Sequence, residues 1–204
     1  MDVKAVLNLL AKRQINRFLG SDHETRPKLG NHVDIYSFQE RTLGALVLSP
    51  SMGPVLFEAG KKVAIEAGKQ AIAIVSQLSN YRSFAKAANL EEATHSTEYP
   101  LLQHIYESTG SGLLKMTHFE KDKQIVFEVR ECAECYATGN IGRAICYYLG
   151  GDLAGALESS LNRQVGFIES KCVAIGDPLC EFRYTLSKQQ ENTETGKIEA
   201  EGEE

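Results

Sequence analysis

The sequence lacks the features that define several large classes of protein. No apolar run is long enough to span a bilayer, and the first residues lack the continuous apolar core and small-residue cleavage site of a secretory signal. Gly139-Asn140-Ile141-Gly142 is too short for a dinucleotide fingerprint, and Gly60-Lys61-Lys62 lacks the rest of a P-loop. The five histidines form no recognisable ligand pair. The sequence therefore predicts neither a membrane-spanning protein nor a nucleotide-dependent enzyme.

Cysteine and basic residues are also in short supply. Five cysteines in 204 residues do not resemble a secreted disulfide scaffold, so we expect a reducing, cytoplasmic location. The net charge of -5 argues against a nucleic-acid partner. Much of that charge lies in residues 188–204, which contain six Glu and two Lys.

Hydrophobic periodicity divides the chain into three parts. Residues 1–30 predict an amphipathic helix over 2–19 followed by a linker, and residues 31–187 predict one folded domain. Residues 188–204 lack apolar content and predict a disordered acidic tail.

The central part predicts helices first and then strands. Residues 33–50 indicate a short strand or helix entry that ends at Pro50, and residues 53–79 have the longest helical pattern. Gly60 and Gly68 lie within that pattern, and small residues there let another helix, or a ligand, approach closely. Residues 80–97 are polar, and we expect a loop over Thr94–Thr97.

Two hairpins predict the sheet. LLKMTHFE and IVFEVREC alternate with a period of two around Lys121-Asp122-Lys123, and VGFIESKCVAI with LCEFRYTL makes a second pair. Between them, residues 139–164 return to a helical pattern, interrupted by Gly150-Gly151, with Asp152 as the cap of its second half. This order predicts an α+β fold, an antiparallel sheet of two hairpins packed with helices.

The second hairpin carries candidate metal ligands. Glu169, Cys172 and Cys180 read E-x2-C-x7-C, and the turn signal Gly176-Asp177-Pro178 separates the two cysteines. Two thiolates opposed across a hairpin, a third from Cys146 on the preceding helix and one carboxylate would make a closed tetrahedral zinc site. The alternative is that these cysteines are small buried hydrophobic residues.

The spacing of two of these ligands needs an irregular strand. Glu169 and Cys172 are an odd number of residues apart, so a regular strand would direct them to opposite faces. A bulge near Ser170-Lys171, or a strand that begins only after Glu169, would bring them together.

A second cysteine element, Cys132-Ala133-Glu134-Cys135, precedes the helix. A C-x-x-C pair can be a redox pair or half of a zinc site, and both cysteines could also serve as ligands in place of Cys146. A thioredoxin-like pair needs a βαβ setting and a helix N-terminus, whereas this pair follows an antiparallel strand. We interpret the two as partly buried thiols near the wall of a pocket.

The run from Asn140 to Tyr184 resembles the carboxyl-terminal part of the 4-vinyl reductase domain family. The resemblance lies in a helix with Gly-rich turns, then E-x2-C, a Gly-Asp-Pro turn and C-x-F, and it extends more loosely back to Val33. It implies a fold similar to a subunit of the eukaryotic vesicle-tethering complex, an α+β domain that encloses a hydrophobic pocket and often dimerises. Residues 31–187 would then be the ligand-binding domain.

The resemblance also implies ligands. Sensor members of the family detect phenols and other aromatics, and they bind zinc through three Cys and one Glu. The matching residues here are Cys146, Cys172, Cys180 and Glu169. Those sensors clamp phenol with a Trp and a His, and this chain has no Trp. His104 and His118 could line a pocket, although we interpret both as surface residues.

Two functions from different classes follow, with a weaker third. The first is a binding module for a small hydrophobic ligand with a structural zinc ion, whose pocket lies between the helix at 53–79, the helix at 139–164 and the sheet. The second is a bacteriochlorophyll-biosynthesis protein that reduces a tetrapyrrole vinyl group or carries the pigment, although no hydride-donor motif is present. The third is a scaffold that uses the fold only to form a homodimer.

Overall fold

The computed structural model describes residue 28 and residues 35–187, and its elements alternate as the sequence predicts. The helices are α1 (Ile35–Leu48), α2 (Met52–Val75), α3 (Leu90–Thr94), α4 (Glu98–Ser108) and α5 (Tyr147–Leu161). The strands are β1 (Leu113–Glu120), β2 (Gln124–Arg130), β3 (Val165–Lys171) and β4 (Cys180–Leu186), with short 3₁₀ turns at Phe84–Lys86 and Val173–Ile175. None of the described helices is both long and apolar enough to cross a membrane.

The four strands form one antiparallel sheet in the order β1-β2-β4-β3. Both predicted hairpins are present, and the second places β4 between β2 and β3. The predicted α+β class is confirmed. The predicted helix over 2–19 and the acidic tail lie outside the described residues, and the division of the chain into three parts stays a prediction.

Helix α1 replaces the short strand or helix entry expected before Pro50. Leu43 and Leu46 are fully buried and lie on one helical face. The helix ends at Leu48 because a residue that precedes proline disfavours the helical conformation. Helix α3 was also missed within the polar stretch. The Asn89 side chain accepts a hydrogen bond from the Glu92 N–H at 3.0 Å and caps this helix.

Helices α2 and α5 pack backbone against backbone. A Cβ atom built on Gly60 would overlap the carbonyl oxygen of Tyr148, and one built on Gly151 would overlap that of Phe57. A Cβ on Gly155 would lie 2.8 Å from the Ala64 Cβ. The glycines therefore allow two main chains to touch, which is the close helix packing that Gly60 predicts.

Gly150-Gly151 does not interrupt helix α5, so the predicted break and the capping role of Asp152 are wrong. The helix runs continuously from Tyr147, since close packing against α2 supplies the stability that two glycines remove. Asp152 instead accepts a hydrogen bond from the Tyr106 hydroxyl. Burial raises the pKa of Asp152 above its ordinary value.

Aromatic rings join α5 to the sheet. The Phe57 ring stacks on Phe167 with centroids 5.0 Å apart, and Phe167 contacts Phe182 and Tyr184 on the neighbouring strand. The buried Tyr184 hydroxyl donates to the carbonyl oxygen of Gly150 at 2.9 Å. The core therefore lies between α2–α5 and one face of the sheet.

Candidate metal centre and ligand cavity

Three chain segments and the start of α5 meet at one end of the sheet. Strand β2 ends there, β4 begins there with Cys180 opposite Val129, and β3 ends there with Lys171 opposite Glu181. Cys146 occupies the N-cap position of α5. Antiparallel pairing thus places residues that are distant in sequence beside one another.

The four ligands named from the sequence lie in one cluster. The donor atoms of Cys146, Glu169, Cys172 and Cys180 are all within 4.8 Å of one another. The Sγ atom of Cys146 is 3.7 Å from that of Cys172 and 3.7 Å from that of Cys180. A tetrahedral ion with zinc–sulfur bonds of about 2.3 Å separates its sulfur ligands by about 3.8 Å, so these distances suit such an ion.

A bulge solves the spacing problem of Glu169 and Cys172. Glu169 pairs with Phe182 and Lys171 with Glu181, so Ser170 is an extra residue without an opposite partner. The bulge changes the side-chain alternation, and Cys172 follows just beyond the strand. Of the two solutions the sequence left open, the bulge is present.

The loop after β3 is held by its own hydrogen bonds. The Cys172 N–H donates to Asp177 Oδ2 at 2.9 Å, and the Cys172 carbonyl oxygen accepts from the N–H groups of Ile175 and Asp177. Gly176 has φ of 99°, a conformation that favours glycine. The loop therefore directs Cys172 back toward Cys180.

The Glu169 carboxyl group has one satisfied oxygen and one orphan. Oε2 accepts from the Cys146 N–H at 3.2 Å, whereas the buried Oε1 has no hydrogen-bond partner. Burial, reinforced by the neighbouring Cys172, raises the pKa of Glu169 to about 10. A divalent cation would satisfy the orphan oxygen and favour the ionised carboxylate and thiolates. The residues present therefore fit a metal ion.

Cys132 and Cys135 belong to the same cluster. They are fully buried rather than partly buried at a pocket wall. The Sγ atom of Cys132 lies 3.5 Å from that of Cys146, and that of Cys135 lies 3.2 Å from that of Cys180. The turn that carries them is fixed by the buried Gln39 of α1, whose Nε2 donates to the carbonyl oxygens of Ala133 and Tyr136 at 2.7 and 3.1 Å. The sequence could not show this, because the contact depends on where α1 packs.

Glu134 has a role that the sequence did not indicate. Its buried carboxyl group accepts from the N–H groups of Tyr148 and Leu149, both at 3.2 Å. Since Cys146 makes no side-chain cap, Glu134 supplies hydrogen bonds that the first turn of α5 would otherwise lack. Burial raises the pKa of Glu134 well above its ordinary value.

An apolar cavity lies near the other end of α5. It is lined by α2, α4, α5 and the sheet, with an open mouth and about 570 Å³ of empty space. The predicted position between α2, α5 and the sheet matches this cavity, and α4 adds a wall that the sequence did not indicate. Ala156 lies ten residues beyond Cys146, a helical rise of about 15 Å. His104 and His118 are exposed and are not among the lining residues.

One carboxyl group interrupts the apolar lining. Glu98 is 8% exposed and lines the cavity. Its Oε1 accepts hydrogen bonds from the Tyr81 hydroxyl and the Phe84 N–H. Its buried Oε2 has no hydrogen-bond partner. A buried carboxyl oxygen without a donor is costly, so this atom marks a position where a ligand can donate a hydrogen bond.

The comparisons agree with the fold and with the resemblance noted in the sequence. Residues 125–186 match the vinyl-4-reductase domain, which confirms that resemblance for these residues. An uncharacterized protein of Methanocaldococcus jannaschii is 24% identical over 179 residues, which cover 88% of this chain and 90% of that protein.

A solved structure shows the same architecture. The phenol-responsive sensory domain of the transcription activator PoxR, crystallised with phenol, superposes with a TM-score of 0.54 at 12% identity, covering 82% of this chain and 80% of that one. A vinyl-4-reductase family protein from M. jannaschii gives a TM-score of 0.46 at 16% identity, covering 92% and 96%.

Proposed function

We propose that this chain, whose residues 125–186 match the vinyl-4-reductase domain, is a binding module for a small hydrophobic ligand that carries one hydrogen-bond donor. The observation that carries the proposal is the cavity between α2, α4 and α5, with the unpartnered Glu98 oxygen in its otherwise apolar wall. Ligand pockets are typically clefts of about 300–1,000 Å³ that combine apolar walls with few polar groups. The phenol bound by the PoxR domain is itself a small aromatic with one hydroxyl group.

The metal centre has a structural role in this proposal. Cys146, Glu169, Cys172 and Cys180 would hold one zinc ion that ties the β3–β4 loop to the start of α5. Four protein ligands leave no open position for a substrate, and all three thiols are buried. The ion would therefore stabilise the helix that forms one wall of the cavity, without taking part in a reaction.

A matched pair of probes tests the cavity. Calorimetric titration with 4-ethylphenol and with 4-ethylanisole, its methyl ether, compares a donor with no donor at nearly constant shape. A hydrogen bond of about 1–1.5 kcal/mol corresponds to roughly tenfold tighter binding of the phenol. Equal affinity for the two probes would contradict the role of Glu98.

Substitutions locate the site of binding. Ala156→Leu adds bulk to the cavity wall and should abolish binding of both probes. Ala73→Leu adds the same bulk on the exposed side of α2 and should leave binding unchanged. Retained binding in Ala156→Leu would show that the probes bind elsewhere.

The tetrapyrrole function stays a second proposal, supported by the family resemblance alone. Protein purified from its native host would show a porphyrin-like absorption spectrum if the pigment were its ligand. The homodimer and the cytoplasmic location likewise stay predictions. Sedimentation of the full chain would test the first of these.

A further inference from the structure

All five cysteines of the chain fall in the metal centre, which is more than one tetrahedral ion can use. The donor atoms form two groups, each within 4.8 Å: Cys132, Cys135, Cys146 and Cys180 in one, and Cys146, Glu169, Cys172 and Cys180 in the other. The two groups share Cys146 and Cys180. The structure thus presents six donors as two four-membered sets with a common pair.

We propose that the centre binds two divalent thiophilic cations, with the Cys146 and Cys180 thiolates bridging them. One ion would be completed by Cys132 and Cys135, and the other by Cys172 and Glu169. This inference rests on the proposed metal centre and adds to it a second ion, held by the C-x-x-C turn.

The sulfur separations support two ions that share an edge. The shared pair, Cys146 and Cys180, is separated by 3.7 Å, which suits one edge of a tetrahedron around a zinc-sized ion. Each bridging sulfur also has a close neighbour in the first group, Cys132 at 3.5 Å and Cys135 at 3.2 Å. Each half of the cluster therefore contains sulfur pairs close enough to bind one ion.

The donor count and the charge lead to the same arrangement. Two four-coordinate ions need eight bonds, and six donors supply eight when two of them bridge. Five thiolates and one carboxylate carry six negative charges, of which one divalent ion neutralises two and two ions neutralise four. Two remaining charges equal the net charge of a single zinc ion bound by four thiolates. A single ion would leave buried donors that must stay protonated or uncompensated.

The C-x-x-C turn is built as rigidly as the second ion requires. The Tyr136 N–H donates to the Cys132 carbonyl oxygen at 2.9 Å, and the Thr138 hydroxyl donates to that of Cys135 at 2.8 Å. Gln39 holds the same turn from α1. Fixed carbonyl groups orient the two side chains toward the shared pair, as the supporting contacts of a metal ligand do.

Titration of the full-length, reduced, metal-free protein with Co²⁺ tests the proposal. Thiolate-to-cobalt charge-transfer absorbance gives the stoichiometry, and electron paramagnetic resonance reports whether the ions are bridged. We expect saturation at two Co²⁺ per chain. The resonance intensity should grow during the first equivalent and fall during the second, because thiolate-bridged ions couple magnetically.

Two matched double variants assign the ions. Cys132→Ser with Cys135→Ser should bind one Co²⁺ that keeps its full resonance intensity, and Glu169→Gln with Cys172→Ser should also bind one. Saturation of the unmodified protein at one ion would overturn the second site, as would two ions retained by the Cys132/Cys135 variant. No bound ion at all would overturn the proposed metal centre as well. The unmodified protein decides the question even if a variant fails to fold.

Discussion

The backbone contact between α2 and α5 predicts opposite effects of one substitution at different glycines. Gly151 faces the carbonyl oxygen of Phe57, and a Cβ there would also lie 2.8 Å from the Phe57 carbonyl carbon. Gly44, in α1, has no such neighbour within 4 Å of an added Cβ. Gly44→Ala and Gly151→Ala therefore make the same chemical change in a helix with and without an obstacle.

The expected magnitudes follow from two competing effects. Replacing Gly by Ala inside a helix gains about 1 kcal/mol in intrinsic propensity, and Gly44→Ala should show that gain. At Gly151 the obstacle is main chain, which cannot rotate away, so the overpacking cost should reach about 3 kcal/mol. The net loss of unfolding free energy at Gly151 should then be about 2 kcal/mol.

Thermal unfolding of the full chain measures both variants. A change of 1 kcal/mol shifts the Tm of a protein of this size by about 2–4 °C. We expect Gly44→Ala to raise Tm by that amount and Gly151→Ala to lower it by about 4–8 °C. A Gly151→Ala protein as stable as the unmodified chain would refute the contact between the two main chains.

Three further substitutions test other parts of the structure. Hydrogen bonding from Lys171 lowers the pKa of Glu181 to about 2, so the stabilisation lost in Glu181→Gln should be present above the ordinary carboxyl pKa and disappear as pH falls toward 2, as urea unfolding at several pH values would show. Tyr184→Phe removes the hydrogen bond to Gly150 and should cost about 1 kcal/mol in the same assay. Asn89→Ala removes the cap of α3 and should also cost about 1 kcal/mol, without changing the affinity for 4-ethylphenol measured by calorimetry.

Local patterns predicted the elements well where one signal dominated. Both hairpins have alternating residues on either side of a clear turn, and the structure has them at nearly the expected bounds. Helix α5 was predicted less well, since Gly150-Gly151 weakens the helical signal locally. The tertiary contact that compensates, with Phe57 on another helix, leaves no trace in the local pattern.

The candidate site shows the same division between local and long-range information. Glu169, Cys172 and Cys180 lie on one hairpin, so their spacing and the odd-number difficulty were visible in the sequence. The position of Cys132 and Cys135 depends on three chain segments that pack independently of the C-x-x-C spacing. Glu134 was missed for a similar reason, since its partners belong to the first turn of a helix that follows a long irregular segment.

The metal centre and the cavity are coupled through α5. The site draws its donors from the β2–α5 segment, the start of α5, the β3 end and β4, so its donors converge only when the sheet and the helix have assembled. Any ion that binds this folded arrangement, and not the unfolded chain, adds its binding free energy to stability. The same helix begins at the ligands and ends at Ala156 and Leu157 in the cavity wall. Metal binding should therefore order the wall that a hydrophobic ligand contacts, and ligand affinity should fall when the metal is removed.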